Sequence, residues 1–253
     1  MLGALLGAAV ALPATRARVL SSSGAIAGTI VGAIAVAAGW SWGFLLLAFF
    51  VPASALSRLG AEQKSASTER IVAKSGSRDA RQVVANGGIF AAAAAMHLVS
   101  PSPIWMAVGI GALAASAADT WATEVGTLIG GQPRSIVSGR PVPVGTSGGI
   151  TPAGTAAALA GAAFMSLAAW VVGFAVPIHA VIAGGVAGAL ADSLIGAGLQ
   201  ERRWCDLCES STERPVHDCG TVTRVSAGIA GFDNDAVNLA CSCIGALVAL
   251  VLS

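Results

Sequence analysis

Four carboxylic acids lie inside apolar stretches of this sequence or close beside them: Asp119, Glu124, Asp192 and Asp235. A carboxylate within an apolar, membrane-like segment is costly, and such a residue commonly marks a functional site. Mg²⁺ takes oxygen ligands, often one or two carboxylates together with substrate phosphates. We therefore predict a catalytic centre in which Asp119, Asp192 and Asp235 bind Mg²⁺ and Glu124 supports them. The alternative is that each acid caps a helix or pairs with an arginine.

Amide side chains accompany these acids along the chain. Asn234 and Asn238 flank Asp235, and Asn86 follows Asp79 in another apolar stretch. If each stretch forms a helix, four helices bring acid or amide groups to a similar depth. The pattern indicates one shared polar site.

A glycine-rich segment follows Asp119. It ends at Thr151-Pro152, a pair typical of a helix N-cap and first helical residue. A glycine-rich loop that enters a helix N-terminus offers N–H groups and the positive dipole end to an anion. We predict that it binds phosphate, with Arg134 and Arg140 as bidentate clamps; the alternative is a flexible connector. The residues predicted to form the loop are Gly145, Thr146, Ser147, Gly148 and Gly149.

Three cysteines and one histidine lie in a short polar segment with the spacing C-x₂-C-x₈-H-x-C: Cys205, Cys208, His217 and Cys219. A Cys₃His set is typical of a closed structural zinc site. We predict a structural Zn²⁺ site here, with reduced, unliganded thiols as the alternative.

Composition limits the class of protein. Of 253 residues, 55% are hydrophobic and only 11% are charged, against about 25% charged residues in soluble domains. The chain therefore has too little charge to cover a water-facing surface. A net charge of +1 also argues against nucleic-acid binding through bulk charge. We predict an all-α, polytopic helical membrane protein and no nucleic-acid partner.

A membrane-crossing helix needs about 20 largely apolar residues. Residues 1–253 are predicted to form a single helical membrane domain, with a Cys/His loop at 200–233 inserted before the last helix. A short helix at Leu2–Leu12 is expected to precede the spans. The seven predicted spans are Ser22–Gly39, Ser41–Leu59, Arg81–Val99, Pro103–Ala118, Pro152–Val176, Ile178–Leu199 and Asn234–Leu252.

The basic residues predict an orientation. All 14 Lys and Arg fall in or beside four segments that share one face if the spans alternate. The positive-inside rule makes that face cytoplasmic, which puts the active site there and the C-terminus outside. Trp40, Trp42 and Trp105 are expected at the outer interface.

Four motifs, taken together and in order, resemble the phytyl-phosphate kinase family of integral membrane proteins. The resemblance runs from about Arg18 to the C-terminus. The motifs are Arg78-Asp-Ala-Arg-Gln-Val-Val-Ala-Asn86, Ala118-Asp-Thr-Trp-Ala-Thr-Glu124, Ser138-Gly-Arg-Pro-Val-Pro-Val-Gly-Thr-Ser-Gly-Gly-Ile-Thr151 and Asn234-Asp-Ala-Val-Asn238.

The resemblance implies a kinase that transfers the terminal phosphate of a nucleoside triphosphate to an isoprenoid monophosphate, such as phytyl or geranylgeranyl phosphate. Asp119-Thr followed by a Thr-Ser-Gly-Gly loop more distantly resembles CTP-using lipid kinases and cytidylyltransferases, which leaves CTP and ATP as candidate donors. On this hypothesis Arg78 and Asn86 hold the acceptor phosphate, and the Gly145–Gly149 loop holds the donor. The residues expected to orient these groups are Asp79, Asn234 and Asn238.

Three other functions remain open from the sequence. A transporter or flippase of a phosphorylated lipid would also carry intramembrane acids. A CTP-dependent cytidylyltransferase would attach a nucleotide to the lipid, and a structural membrane protein would use the Cys/His loop for docking.

Overall fold

The computed structural model describes residues 2–68, 71–73 and 76–253, and helices dominate this part of the chain. The helices are α1 Leu2–Arg16, α2 Ser22–Ala38, α3 Trp40–Arg58, α4 Ala61–Thr68, α5 Ala80–Val99, α6 Pro103–Ile129, α7 Pro152–Val171, α8 Ile178–Gly198 and α9 Asn234–Val251. The strands are β1 Arg134–Ser135, β2 Gly149–Ile150, β3 Arg202–Cys205, β4 Ser210–Thr212 and β5 Arg224–Ala227.

Six of the described helices are long and apolar enough to cross a membrane: α3, α5, α6, α7, α8 and α9. The prediction of a polytopic helical membrane protein is therefore confirmed. The other predicted span, α2, is apolar but has 17 residues, or about 25 Å at ~1.5 Å per residue. The short N-terminal helix is also present as α1. Its Gly3 and Gly7 lie against Ala33 and Thr29 of α2, so the two helices pack antiparallel.

Helix α6 is the centre of the bundle and packs against α5, α7, α8 and α9. Small residues permit this packing, as they do in membrane helices generally. A Cβ added to Gly188 of α8 or to Gly245 of α9 would lie 2.4 Å from the Cβ of Ala115. The backbones of α6, α8 and α9 therefore approach one another at a distance that only glycine allows, which fixes the positions of the acids on α6 and α8.

A buried pair of serines adds polar contacts to this core. The hydroxyls of Ser116 and Ser242 lie 3.0 Å apart. Ser116 donates to the carbonyl of Asn86 at 2.9 Å, and Ser242 donates to that of Ala85 at 3.1 Å. Helices α5, α6 and α9 are thus joined just below the polar ends of α5 and α9.

Two expectations from the sequence are wrong in detail. Helix α6 does not end at Ala118 but continues to Ile129, so Asp119 and Glu124 lie within it. The extension is favoured because Gly126 packs against Gly154 of α7. Trp42 is not at an interface; it is 2% exposed, and its ring packs against Phe90 and Phe174.

The short strands form two small antiparallel sheets between helices. Strands β1 and β2 pair in the segment between α6 and α7, and β4, β3 and β5 form a three-stranded sheet in that order between α8 and α9. The predicted all-α class therefore holds for the bundle, whereas the 200–233 loop contains a small sheet. Short β-pairings of this kind are weakly marked in sequence because they lack an extended alternating pattern.

We predict that Gly245→Val lowers the thermal unfolding midpoint in detergent, because overpacking a tight helix contact costs about 1–3 kcal/mol. Cys243→Val, at an exposed position of the same helix, is the matched control and should change the midpoint little. Equal midpoints for the two variants would contradict the close approach of α9 to α6 and α8.

Candidate functional site

A polar cavity of about 1120 Å³ lies where α5, α6, α8 and α9 present their acid and amide side chains. It joins the bundle to the glycine-rich loop and to the 200–233 segment. The sequence-predicted site residues that line it are Arg78, Asn86, Asp119, Glu124, Arg134, Gly145, Thr146, Ser147, Gly148, Gly149, Asp192, Asn234 and Asn238.

Two acids face each other on α6 and α8. The carboxyl groups of Asp119 and Asp192 are hydrogen-bonding neighbours. Oδ2 of Asp192 is buried and has no hydrogen-bond partner among the described residues. Two adjacent, half-buried carboxylates repel each other unless a proton or a cation lies between them. This pair of oxygen donors therefore fits a divalent cation such as Mg²⁺.

Glu124 lies about one and a half turns nearer the end of α6 than Asp119, in an ion-paired network. Lys64 of α4, which is 8% exposed, forms a salt bridge to Oε2 of Glu124. The hydroxyl of Ser57 donates to Oε1 at 2.6 Å. Because both carboxylate oxygens have protein partners, Glu124 is better suited to positioning Lys64 than to binding a metal directly. Sequence reasoning missed Lys64, since only the fold brings α4 beside α6.

Arg78 reaches into the cavity just before α5. Its guanidinium donates to the hydroxyls of Ser54 and Ser57 at 3.2 and 2.9 Å and to the carbonyl of Ala53 at 3.3 Å. Burial lowers the pKa of Arg78, and the negative charge of Glu124 opposes this shift. The side chain is therefore a fixed, partly desolvated cation, a suitable partner for a phosphate.

The glycine-rich loop is more ordered than a flexible connector. Thr151 caps α7 as predicted, accepting a hydrogen bond from the amide of Gly154 at 3.0 Å. The amides of Thr146 and Gly149, however, donate to carbonyls inside the loop, so these two N–H groups do not form the predicted phosphate cradle. Gly148 has φ +78°, and an added Cβ would lie 2.4 Å from the Cβ of Ala197, so it packs the loop tightly onto α8.

Glu213, which sequence reasoning did not identify, connects this loop to the 200–233 segment. Its Oε1 accepts hydrogen bonds from Ser147 at 2.6 Å and from Gln200 at 2.8 Å. Burial raises the pKa of Glu213, and the hydrogen bond from Ser147 partly offsets the shift. The acid directly follows β4, and its own amide donates to the carbonyl of Ile71. No local motif predicts such a contact between distant segments.

Three of the residues predicted for the catalytic and phosphate-binding site do not line the cavity. Asp79 caps α5, accepting from the amide of Gln82 at 2.9 Å in a reciprocal capping box. Asp235, 6% exposed, lies 3.7 Å from Nε of Arg81. Arg140 is exposed in the β1–β2 segment. The structure thus favours helix capping and ion pairing for the two acids, the alternative open from sequence.

The four Cys/His residues do come together. Their ligand atoms all lie within 4.8 Å of one another, so the cluster could hold a metal ion. The Sγ atoms of Cys205 and Cys219 are 3.6 Å apart, close to the ~3.8 Å expected for two thiolates on one tetrahedral zinc. Nδ1 of His217 lies 3.3 Å from Sγ of Cys219, and Ser210 Oγ lies 3.4 Å from Nε2 on the opposite side of the ring. Hydrogen bonding with Thr221 lowers the pKa of Cys219 to about 6, which favours the metal-binding thiolate.

We predict that protein purified without chelators contains one zinc ion per chain, measured by elemental mass spectrometry. Cys205→Ser should remove most of it, because a four-ligand site loses one of its thiolates. Cys243→Ser, in α9 and outside the cluster, is the control. Equal zinc content in wild type and Cys205→Ser would refute the site.

Comparison with known proteins supports the membrane assignment. Residues 5–246 match the model of the family described as integral membrane protein DUF92. The chain is 30% identical to Protein PGR of Arabidopsis thaliana over 263 aligned positions, covering 92% of this chain and 89% of that protein. It is 35% identical to an uncharacterized membrane protein of Methanocaldococcus jannaschii, with 77% and 80% coverage, and 32% identical to one of Synechocystis, with 68% and 69% coverage.

No solved structure matches the chain. The family match covers nearly the whole length, including every helix described above except the first residues of α1 and the end of α9. The chain therefore belongs to the DUF92 family of integral membrane proteins.

Proposed function

We propose that the chain is a membrane-embedded kinase that transfers the terminal phosphate of CTP or ATP to an isoprenoid monophosphate, giving the diphosphate. The observation that supports this most is the single cavity that gathers Asp119, Asp192, Arg78 and the glycine-rich loop. It combines oxygen donors for a cation, a half-buried arginine and a loop beside a helix N-terminus, the parts that phosphoryl transfer requires.

Asp119 and Asp192 would hold Mg²⁺, which would neutralise charge on the donor phosphates during transfer. Arg78 binds the acceptor phosphate in this proposal, and Asn86, which lines the cavity two turns into α5, orients it. Arg134 and the loop from Gly145 to Gly149, apart from the amides of Thr146 and Gly149, hold the donor in this proposal. Arg140 is left out because it does not line the cavity.

No strong general base is needed in this reaction. The acceptor is a phosphate monoester whose second pKa is about 6, so it is mostly dianionic at pH 7. The protein's task is to bring two anions into line and to offset their repulsion. Among the residues that the structure describes, Lys64, Arg78 and Arg134 are the basic side chains that line the cavity.

The active site is proposed to lie at the cytoplasmic face, with the C-terminus outside. The end of the bundle that contains the cavity also contains Arg16 and Arg58, at the ends of α1 and α3. Clustered basic residues favour the cytoplasmic side, which is also where a soluble nucleotide is present.

The direct test incubates purified protein with Mg²⁺, geranylgeranyl or phytyl monophosphate and either ATP or CTP, and reads the lipid products by mass. We expect a gain of one phosphate, with the better donor identified by rate. A gain of a whole nucleotide would identify a cytidylyltransferase instead. No product with any pair would contradict the kinase proposal and favour lipid-phosphate transport.

Asp119→Asn and Asp192→Asn should each lower kcat by roughly 100-fold or more, since both remove charge that stabilises the transferring phosphoryl group. Each substitution keeps the side-chain volume. Glu62→Gln, an exposed acid of α4, is the matched control and should leave kcat near wild type. Retained turnover in both aspartate variants would rule out the pair as the metal site.

Glu213→Ala should raise the KM for the nucleotide about tenfold, because the loop loses a charge-assisted hydrogen bond at Ser147. Glu213→Gln keeps an oxygen that can accept the hydrogen bond from Ser147, so its KM should be close to that of the wild type. Ser211→Ala, at an exposed position of β4, is the control. A KM unchanged by Glu213→Ala would remove the 200–233 segment from the donor site.

A further inference from the structure

A second, apolar cavity of about 370 Å³ lies among α1, α2, α3 and α5. Aliphatic and aromatic side chains dominate its walls, among them Leu6 and Val10 of α1, Val31 of α2 and Phe44 of α3. Volumes of 300–1,000 Å³ are typical of ligand sites. The polar cavity described above does not account for this space.

The two cavities meet at one place. Arg78, Gln82, Asn86 and Thr120 line both of them. The apolar cavity therefore opens, at its polar end, onto the residues proposed to hold the acceptor phosphate. The helices place this junction close to Asp119, the residue before Thr120 in α6.

The apolar cavity extends away from the junction toward the opposite end of the bundle. Its α3 wall runs from Phe50 to Trp40, a distance of about 15 Å at ~1.5 Å per residue. Trp40 is 58% exposed at the far end. The shape is that of an elongated apolar channel with one cationic, amide-lined end.

We propose that this cavity binds the hydrocarbon tail of the phosphate acceptor, with its phosphate at Arg78 and Asn86. This inference rests on the proposed function, and it adds where the hydrocarbon tail of the acceptor binds. A bulk phospholipid would keep its headgroup in the membrane interface, whereas the polar end of this cavity is the half-buried guanidinium of Arg78, which Ser54 and Ser57 of α3 hold in place. A single-chain phosphate monoester matches both ends, since its anion meets Arg78 and its tail covers apolar side chains that would otherwise lose contacts.

Gly28 of α2 lines the cavity and leaves space in it, so a substitution at this position can fill part of that space. An added Cβ at Gly28 meets only Cδ1 of Leu20, at 3.6 Å. That is ordinary van der Waals contact, so a Cβ fits at Gly28, and a larger side chain built on it is expected to fill part of the cavity that Gly28 lines. Ala37, on the same helix, is exposed and does not line the cavity, and it provides a matched control.

The first experiment uses wild-type protein in detergent and a geranylgeranyl monophosphate with a photoreactive group at the end of its tail. After irradiation, labelled peptides are mapped by mass spectrometry. We expect labels on α2 and α3, displaced by unlabelled geranylgeranyl monophosphate and not by inorganic phosphate at the same concentration. Labels confined to helices that do not line this cavity, such as α7, α8 or α9, or equal displacement by inorganic phosphate, would overturn the tail site.

The second experiment compares Gly28→Leu with Ala37→Leu. Gly28→Leu should weaken binding of the same probe about tenfold or more, because buried methyl and methylene groups of the tail lose their contacts. Ala37→Leu should bind as wild type, and nucleotide binding should be unchanged in both variants. Equal probe affinity in the two variants would overturn the proposal.

The two proposals fail separately. Labels on α2 and α3 without phosphoryl transfer from any donor would reject the kinase and retain a lipid-phosphate site. Transfer of phosphate with labels elsewhere would retain the kinase and reject this channel. The labelling of wild-type protein does not depend on whether Gly28→Leu folds.

Discussion

The packing of two carboxylic acids against each other at the α6–α8 contact is the constraint around which the site is arranged. Asp119 and Asp192 lie where glycines bring α6, α8 and α9 into close contact. Their mutual repulsion is tolerable only with a bound proton or cation between them. A divalent cation would make this pair favourable, since its positive charge would offset the negative charge of the two carboxylates. The surrounding polar cavity then provides cationic partners for phosphates at its edges.

The segments outside the bundle help to position the loop beside this pair of acids. The Cys/His cluster lies beside the sheet formed by β4, β3 and β5, because Cys205 ends β3 and Cys208 lies in the turn before β4. Glu213 directly follows β4. Glu213 holds Ser147 in the glycine-rich loop, and Gly148 seats that loop on α8. Metal at the cluster would therefore fix an acid that in turn fixes the loop. A small chain segment outside the bundle can thus set the geometry of a site at the bundle's end.

Sequence reasoning predicted the bundle, and most of the residues that it assigned to the catalytic and phosphate site do line the cavity, because apolar length and isolated polar groups are strong signals in a membrane protein. The Cys/His spacing predicted its cluster for a different reason: four ligands that are close in sequence need little tertiary information to come together. Asp79 and Asp235 could not be assigned this way, since capping and ion pairing give an acid the same sequence setting as metal binding. Lys64 is 60 residues from Glu124, and Ser147 is 66 residues from Glu213, so only the fold brings these partners together.

The central claim is that Asp119 and Asp192 share a divalent cation, and Mn²⁺ in place of Mg²⁺ tests it most directly. Crystals of the protein soaked in Mn²⁺ would be measured for anomalous scattering. We expect one strong peak between the two carboxyl groups, absent from crystals of Asp119→Asn treated in the same way. Well-ordered carboxylates with no anomalous peak between them would contradict the claim and leave the pair held by a shared proton.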